Sequence, residues 1–223
     1  MELTHIAIIP DGNRRWAKKN KTSIKIAYNN AIDYKRTKKI IESARKEGAG
    51  FFSIWGFSTE NWKRSAVERE AIFKTIFKAI ESFEAHIEKD KYKFICIGRR
   101  DRIPKYLALK IKSLEEKTKE FDRITIILAI DYGGRDEIIR AIKKSKGVEV
   151  NEENFRHFLD TKDIPDPDII IRTGGEKRLS GYMPFQSAYS EIYFINKLFP
   201  DFSSKDLKKI IKDFQERKRR FGE

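Results

Sequence analysis

Along this chain, short runs of β-branched and aromatic residues alternate with longer stretches whose apolar positions recur every three and four residues. The first kind reads as strands and the second as helices. Strands are predicted at His5–Ile9, Phe51–Phe57, Tyr92–Ile97, Ile124–Ile130, Asp168–Ile171 and Glu191–Phe194. Helices are predicted at Ala31–Lys46, Ala66–Lys89, Lys105–Lys119, Arg135–Lys144, Asn151–Leu159 and Lys205–Arg219. Alternation of this sort specifies an α/β fold: a central, mostly parallel sheet flanked by helices. No repeat, low-complexity stretch or linker interrupts it, so residues 1–223 are expected to form a single domain.

The segments after the strands carry the chemistry. Ile9 leads into Pro10-Asp11-Gly12-Asn13-Arg14-Arg15, and Phe57 into Ser58-Thr59-Glu60-Asn61-Trp62-Lys63-Arg64. Ile130 leads into Asp131-Tyr132-Gly133-Gly134-Arg135, and Ile171 into Arg172-Thr173-Gly174-Gly175-Glu176-Lys177-Arg178. In a parallel sheet these ends share one edge, where ligands bind. Glycine lets a phosphate approach the backbone, and arginine supplies a fork of donors. Several such loops together imply a ligand with more than one phosphate. Neither of the usual nucleotide-cradling glycine motifs occurs. Asp11, beside Asn13, Arg14 and Arg15, suits a carboxylate that holds Mg2+ against a diphosphate; its plainer role is an Asx turn before a helix.

Composition narrows the partners. The chain holds 48 Lys and Arg against 34 Asp and Glu, a net charge of +14. That sign suits nucleic acid, an anionic membrane surface or a phosphorylated small molecule, though solvated lysine faces account for much of it. The arginines gather at strand ends rather than among aromatics on one surface, so nucleic acid is not the expected partner. The single cysteine, Cys96, allows no intrachain disulfide, and the three histidines are far apart in sequence. No signal peptide or spanning segment is evident; the expected location is the cytoplasm, with any membrane contact peripheral.

Taken in order, these motifs resemble those of the cis-prenyltransferases, the family of undecaprenyl and dehydrodolichyl diphosphate synthases. His5-Ile6-Ala7-Ile8-Ile9-Pro10-Asp11-Gly12-Asn13-Arg14-Arg15-Trp16-Ala17 is similar to the opening signature. Phe57-Ser58-Thr59-Glu60-Asn61-Trp62, Tyr132-Gly133-Gly134-Arg135 and Asp166-Pro167-Asp168 through Ser180 resemble the following ones, and Arg220-Phe221-Gly222 the terminal one. The resemblance implies an undecaprenyl diphosphate synthase-like fold with an apolar tunnel, a homodimer, and Mg2+ as cofactor. It implies condensation of isopentenyl diphosphate with an allylic prenyl diphosphate. By the same resemblance, Asp11 binds the metal, and Glu191 helps place it across the dimer interface. Gly12, Asn13, Arg14, Arg15 and Trp16 hold the allylic diphosphate. Arg172, Arg178 and Ser180 grip isopentenyl diphosphate. Ser58 and Asn61 sit by the departing proton, with Arg64 in support. Trp62 and Glu68 lie on a mobile segment over the site, and Arg220 and Gly222 complete a neighbouring subunit's site. The ordinary alternative for Trp62 is packing.

The chain departs from this pattern after the first motif. Where many relatives have an arginine followed by Gly-His-x-x-Gly, it has Ser23 through Ala31, with Lys25 in the arginine's part and Asn30 in the histidine's. Asp131 replaces the usual Asn and Gly181 another. These changes leave room for a hydroxyl-bearing acceptor on the same fold; a subunit of a heteromeric synthase is a further alternative, against which Asp11 argues. In the helix Ala66–Lys89, Phe73, Ile76, Phe77, Ile80 and Phe83 form one apolar face. Core packing is its plainer role; along a tunnel, its bulky side chains would keep the product short or medium in length.

Overall fold

The six predicted strands all form, and they pair side by side in one sheet of order β3-β4-β2-β1-β5-β6. The computed structural model describes residues 2–217. The strands are β1 His5–Ile9, β2 Phe51–Ser58, β3 Lys93–Ile97, β4 Thr125–Tyr132, β5 Ile169–Arg172 and β6 Glu191–Phe194. Every pairing is parallel. The inner strands are apolar because both faces are covered: β1 is buried along its whole length. Ile6 and Ile8 face one layer, with Phe52, Ile126 and Ile171; Ala7 and Ile9 face the other, with Trp55, Ile127 and Tyr182.

The helices are α1 Asn13–Lys19, α2 Ile24–Ala31, α3 Tyr34–Lys46, α4 Ala66–Glu84, α5 Ile87–Asp90, α6 Lys105–Thr118, α7 Gly134–Lys144, α8 Glu152–Phe155 and α9 Ser204–Glu216. Three predicted helices are divided. The stretch Ala31–Lys46 begins instead at Tyr34, because the Asp33 side chain accepts the Arg36 backbone N–H at 2.7 Å and caps a new helix there. Ala66–Lys89 breaks after Glu84, and Asn151–Leu159 becomes one α turn and a 3-10 turn. Helices α1 and α2 lie where no regular apolar pattern predicts them; α2 buries only Ala27 and Ala31.

Two features of the sheet place the site. β1 and β5 are neighbours, yet the chain leaves β1 towards β2 and leaves β5 towards β6 on the other side. The loops beyond their ends diverge and open a crevice, the usual ligand position in such sheets. In β2, the pairing with β4 shifts register between Trp55 and Phe57 and again before Ser58. A bulge of this kind re-aims the side chains that follow it. Below the crevice, between the sheet and helices α3 and α4, lies a cavity of about 560 Å³.

Candidate active site

Asp11 follows β1, and its two carboxylate oxygens meet two arginines. Oδ2 accepts from Arg172 Nη2 at 2.9 Å, and Oδ1 from Arg15 Nη2 at 3.3 Å. Arg172 ends β5 opposite Ile9 and is buried, with its Nη1 donating to Ser180 Oγ at 2.7 Å and to the Arg178 carbonyl at 2.5 Å. Arg15 continues to Glu176 at 3.6 Å, which in turn accepts from Arg178 at 2.6 Å. The backbone of Asp11 is held as firmly: its carbonyl accepts from Thr173 Oγ1 at 2.7 Å and from the Phe199 N–H at 3.0 Å.

Glycine is required at two points here. Gly12 has φ +105°, and a Cβ on it would stand 2.7 Å from Leu198 Cδ2. Gly174 has φ +85°, and a Cβ there would stand 2.6 Å from Arg15 Nη2 and 3.2 Å from the Asp11 carbonyl oxygen. Neither the backbone angle nor the space admits a side chain.

The cavity opens at this cluster. Its polar mouth includes Asp11, Asn13, Ser58, Asn61, Arg64, Arg172 and Ser180; its depth is apolar, walled by Ile41, Ile54, Ile76, Ile80, Phe83, Phe94 and Leu128 among others. A volume of 560 Å³ lies within the ~300–1,000 Å³ of small-molecule pockets. Ser58 and Asn61 are fixed by a reciprocal cap, in which the Ser58 N–H donates to Asn61 Oδ1 at 3.1 Å. Asn13 Oδ1 and Arg172 Nε are buried without hydrogen-bond partners. Buried polar atoms are ordinarily paired, and Arg172 Nε is a donor that an anionic oxygen of a ligand can satisfy. A charged head with a greasy tail suits this shape: basic groups at the opening, hydrocarbon walls behind.

The metal that the resemblance implies can be tested against these donors. No group of three or more His, Cys, Asp or Glu that could hold an ion exists among the described residues. Mg2+ does not need one, because it commonly binds through one or two carboxylates plus waters and substrate phosphates. Asp11, partly exposed at the mouth beside Arg15 and Arg172, fits that mode.

Other predicted residues lie elsewhere. Lys25 and Asn30 are exposed on α2 and do not wall the cavity; the α2 residues that do are Tyr28 and Ala31. Helical phase turns Lys25 to the side away from buried Ala27 and Ala31, while Asn30 stands on the flank opposite the one that Tyr28 presents to the cavity. Glu191 starts β6 opposite Ile169, three residues before the level of Arg172, hence roughly 10 Å along the strand from it. Its carboxylate accepts from Arg217 Nη1 at 2.6 Å, so within one chain it does not join Asp11. Trp16 donates its indole N–H to Asp201 at 2.7 Å. Trp62 packs on Phe57 and Phe73, with ring centroids 5.6 and 5.8 Å away, and is not in the cavity wall. Arg14 pairs with Glu68, tying α1 to the first turn of α4. Arg220 and Gly222 lie outside the described residues.

The sequence reading missed Arg36. Its guanidinium donates to the carbonyls of Asn30, Ala31, Phe199 and Phe202, and so joins the end of α2 to the loop behind Asp11. Burial draws its pKa down, while Asp33 and Asp201 oppose that shift. No local signal marks it, because all four acceptors of its guanidinium are main-chain oxygens made available only by folding.

The comparisons with known proteins agree with this geometry. The family model described as "Putative undecaprenyl diphosphate synthase" matches residues 9–222. An isoprenyl transferase of Thermotoga maritima is 39% identical, over 98% of this chain and 96% of its own. One from Campylobacter jejuni strain RM1221 is 40% identical, over 99% of both. Among solved structures, lavandulyl diphosphate synthase from Lavandula x intermedia, in complex with dimethylallyl diphosphate, superposes with a TM-score of 0.92 at 31% identity, covering 99% of this chain and 98% of that one. A probable undecaprenyl diphosphate synthase from Campylobacter jejuni gives 0.85 at 37% identity, with full coverage of both chains.

Proposed function

The chain belongs to the undecaprenyl diphosphate synthase family of prenyltransferases, and from that premise we propose that it condenses isopentenyl diphosphate with an allylic prenyl diphosphate. The product would be a cis-polyprenyl diphosphate of short or medium length. One observation carries the reading: a carboxylate–arginine cluster stands at the mouth of an apolar cavity. Such a mouth takes diphosphates, and such a cavity takes the hydrocarbon of the growing chain as a tunnel would.

In the reaction, a carbon–carbon bond forms between the two isoprenoids while the allylic carbon–oxygen bond breaks. Diphosphate departs, and a proton is lost from the isopentenyl methylene next to the carbon that the attack leaves cationic, near Ser58 and Asn61. Charge accumulates on the leaving diphosphate, so donors already aimed at it lower the barrier. Asn13, Arg14 and Arg15, on the first turn of α1, would hold the allylic diphosphate. Arg172, Ser180 and Arg178 would hold that of isopentenyl diphosphate. A Mg2+ ion bound through Asp11 would neutralise charge on the diphosphate oxygens. With both heads fixed, the two reacting carbons are kept in register, which converts a bimolecular encounter into an oriented one. Completion of the site by Glu191 and the terminal Arg220 and Gly222 of a second copy belongs to the same proposal, as does a homodimer.

The dimethylallyl diphosphate complex of lavandulyl diphosphate synthase supports a short allylic donor for this fold. Among the described residues no helix is long and apolar enough to cross a membrane, and the proposed product is a lipid. Contact at a bilayer is therefore proposed to be peripheral.

The test incubates purified protein with Mg2+, labelled isopentenyl diphosphate and allylic diphosphates of several lengths. Extractable labelled lipid from the wild type, lowered by orders of magnitude in Asp11→Ala of unchanged fold, is the expected result. Absence of elongation with every donor would overturn the reading.

A further inference from the structure

Asp131 is an acid with no exposed surface, at the end of a central strand. Its φ of +48° is a conformation that asparagine, aspartate and glycine adopt more readily than other residues. Three hydrogen bonds end on its carboxylate. Trp62 Nε1 donates to Oδ1 at 2.7 Å, Arg102 Nη2 to the same oxygen at 2.6 Å, and Arg102 Nε to Oδ2 at 2.7 Å. Removing a carboxylate from water is costly, and the cost is offset only by pairing as complete as this.

The donor that matters is Trp62. It belongs to the 3-10 turn Thr59–Lys63, whose cap fixes Ser58 and Asn61 at the cavity mouth. A short 3-10 turn has poor hydrogen-bond geometry and cannot hold its own position. Here it is gripped from outside. Arg102 and Arg69 lie 5.5 and 5.4 Å from the centre of the Trp62 ring. Arg69 also donates to the carbonyls of Trp62 at 3.2 Å and Arg64 at 2.5 Å. Of these contacts, the indole N–H to Asp131 joins the turn to the sheet by a side chain with almost no freedom.

We infer that Asp131 is a positioning residue: by accepting the Trp62 N–H while clamped by Arg102, it holds the turn that presents Ser58 and Asn61 to the cavity. Its kinetic consequence rests on the prenyl transfer proposed above, but the anchoring itself does not. Asp131→Asn keeps an acceptor for the indole and suits the backbone angle. Asp131→Gly removes the acceptor without backbone strain, and Trp62→Phe removes the donor.

The experiment compares steady-state kinetics and amide hydrogen exchange of these variants and of the Asp131→Gly/Trp62→Phe double variant. Asp131→Gly is expected to lower kcat roughly ten- to a hundredfold with little change in KM, as small misplacements of a reacting group do. Asp131→Asn should retain most of the rate. The double variant should fall well short of the product of the single losses, since both changes break the Trp62–Asp131 bond even though Asp131→Gly also releases Arg102. Exchange in residues 59–64 should quicken in the Gly and Phe variants and not in the Asn variant. Unchanged exchange in Asp131→Gly, an Asn variant as impaired as the Gly variant, or fully multiplicative losses would each overturn the inference. If the wild type makes no prenyl product, the proposed function fails, while the exchange comparison still decides the anchor.

Discussion

Asp11 and Arg172 lie 161 residues apart in the chain and are joined by a 2.9 Å hydrogen bond. The pairing follows from register: Arg172 stands opposite Ile9 on the adjacent parallel strand, so two more residues bring Asp11 to its guanidinium. Arg172 is the more buried partner, with its side chain 7% exposed against 31% for Asp11. It holds the cluster from below and leaves the carboxylate facing the mouth.

That arrangement makes Arg172→Lys a severe change. An ammonium is a point charge without a fork, so it cannot reach Asp11, Ser180 and the Arg178 carbonyl together. The expected result is a fall in kcat/KM of about a hundredfold, with circular dichroism unchanged. A variant within about threefold of wild type would show that Arg172 does not organise the site.

Phe83 sets a second expectation. The apolar face of α4 serves two purposes in the structure: Ile76, Ile80 and Phe83 wall the cavity, while Phe73 packs on Phe57 and Trp62, and Phe77 on Tyr106. Phe83 meets Tyr34, Tyr92 and Phe94, at 6.4, 5.9 and 6.2 Å between ring centres. Phe83→Ala should lengthen the product distribution and lower the thermal midpoint, and Ala79→Phe, on the same wall, should shorten it. Mass spectrometry of the extracted lipids reads both; identical distributions would remove α4 from control of length.

His5 makes stability depend on pH. It is fully buried, with Nδ1 2.7 Å from the Pro165 carbonyl and Nε2 2.6 Å from Ser53 Oγ. Burial pushes its pKa down to about 4, with the Pro165 hydrogen bond and Asp168 opposing. An unfolded histidine titrates near 6.5, so between these values the unfolded chain binds more protons. Stability from this group is present above about 6.5 and is lost as pH falls towards 4, by about 3 kcal/mol in all. Urea unfolding at pH 7 and pH 4.5 should show that loss in the wild type and a smaller one in His5→Asn. Equal losses would exclude His5 as the source.

Much of the fold was legible because burial on both faces imposes continuous apolar runs. All six strands stand within a residue or two of where the pattern places them. The strand-end loops were legible too: Asp11, Asn13, Arg172 and Ser180 are gathered at one mouth, as a shared sheet edge requires. Helices α1 and α2 were not legible, because short helices with few buried residues leave little periodicity; Lys25 and Asn30, assigned from the resemblance alone, are exposed on α2, and Tyr28 and Ala31 wall the cavity.

By itself, the order of residues determined which groups are chemically available and which strands carry them, since strand patterning and loop composition are local properties. Only the tertiary structure decided which of those groups meet. Strand order brought β5 beside β1 and so Arg172 to Asp11; the bulge in β2 aimed Ser58; Asp131 took Trp62 away from the cavity; and Glu191 fell at the far end of β6. Each depends on register between segments far apart in the chain, and neighbouring residues alone carry no record of it.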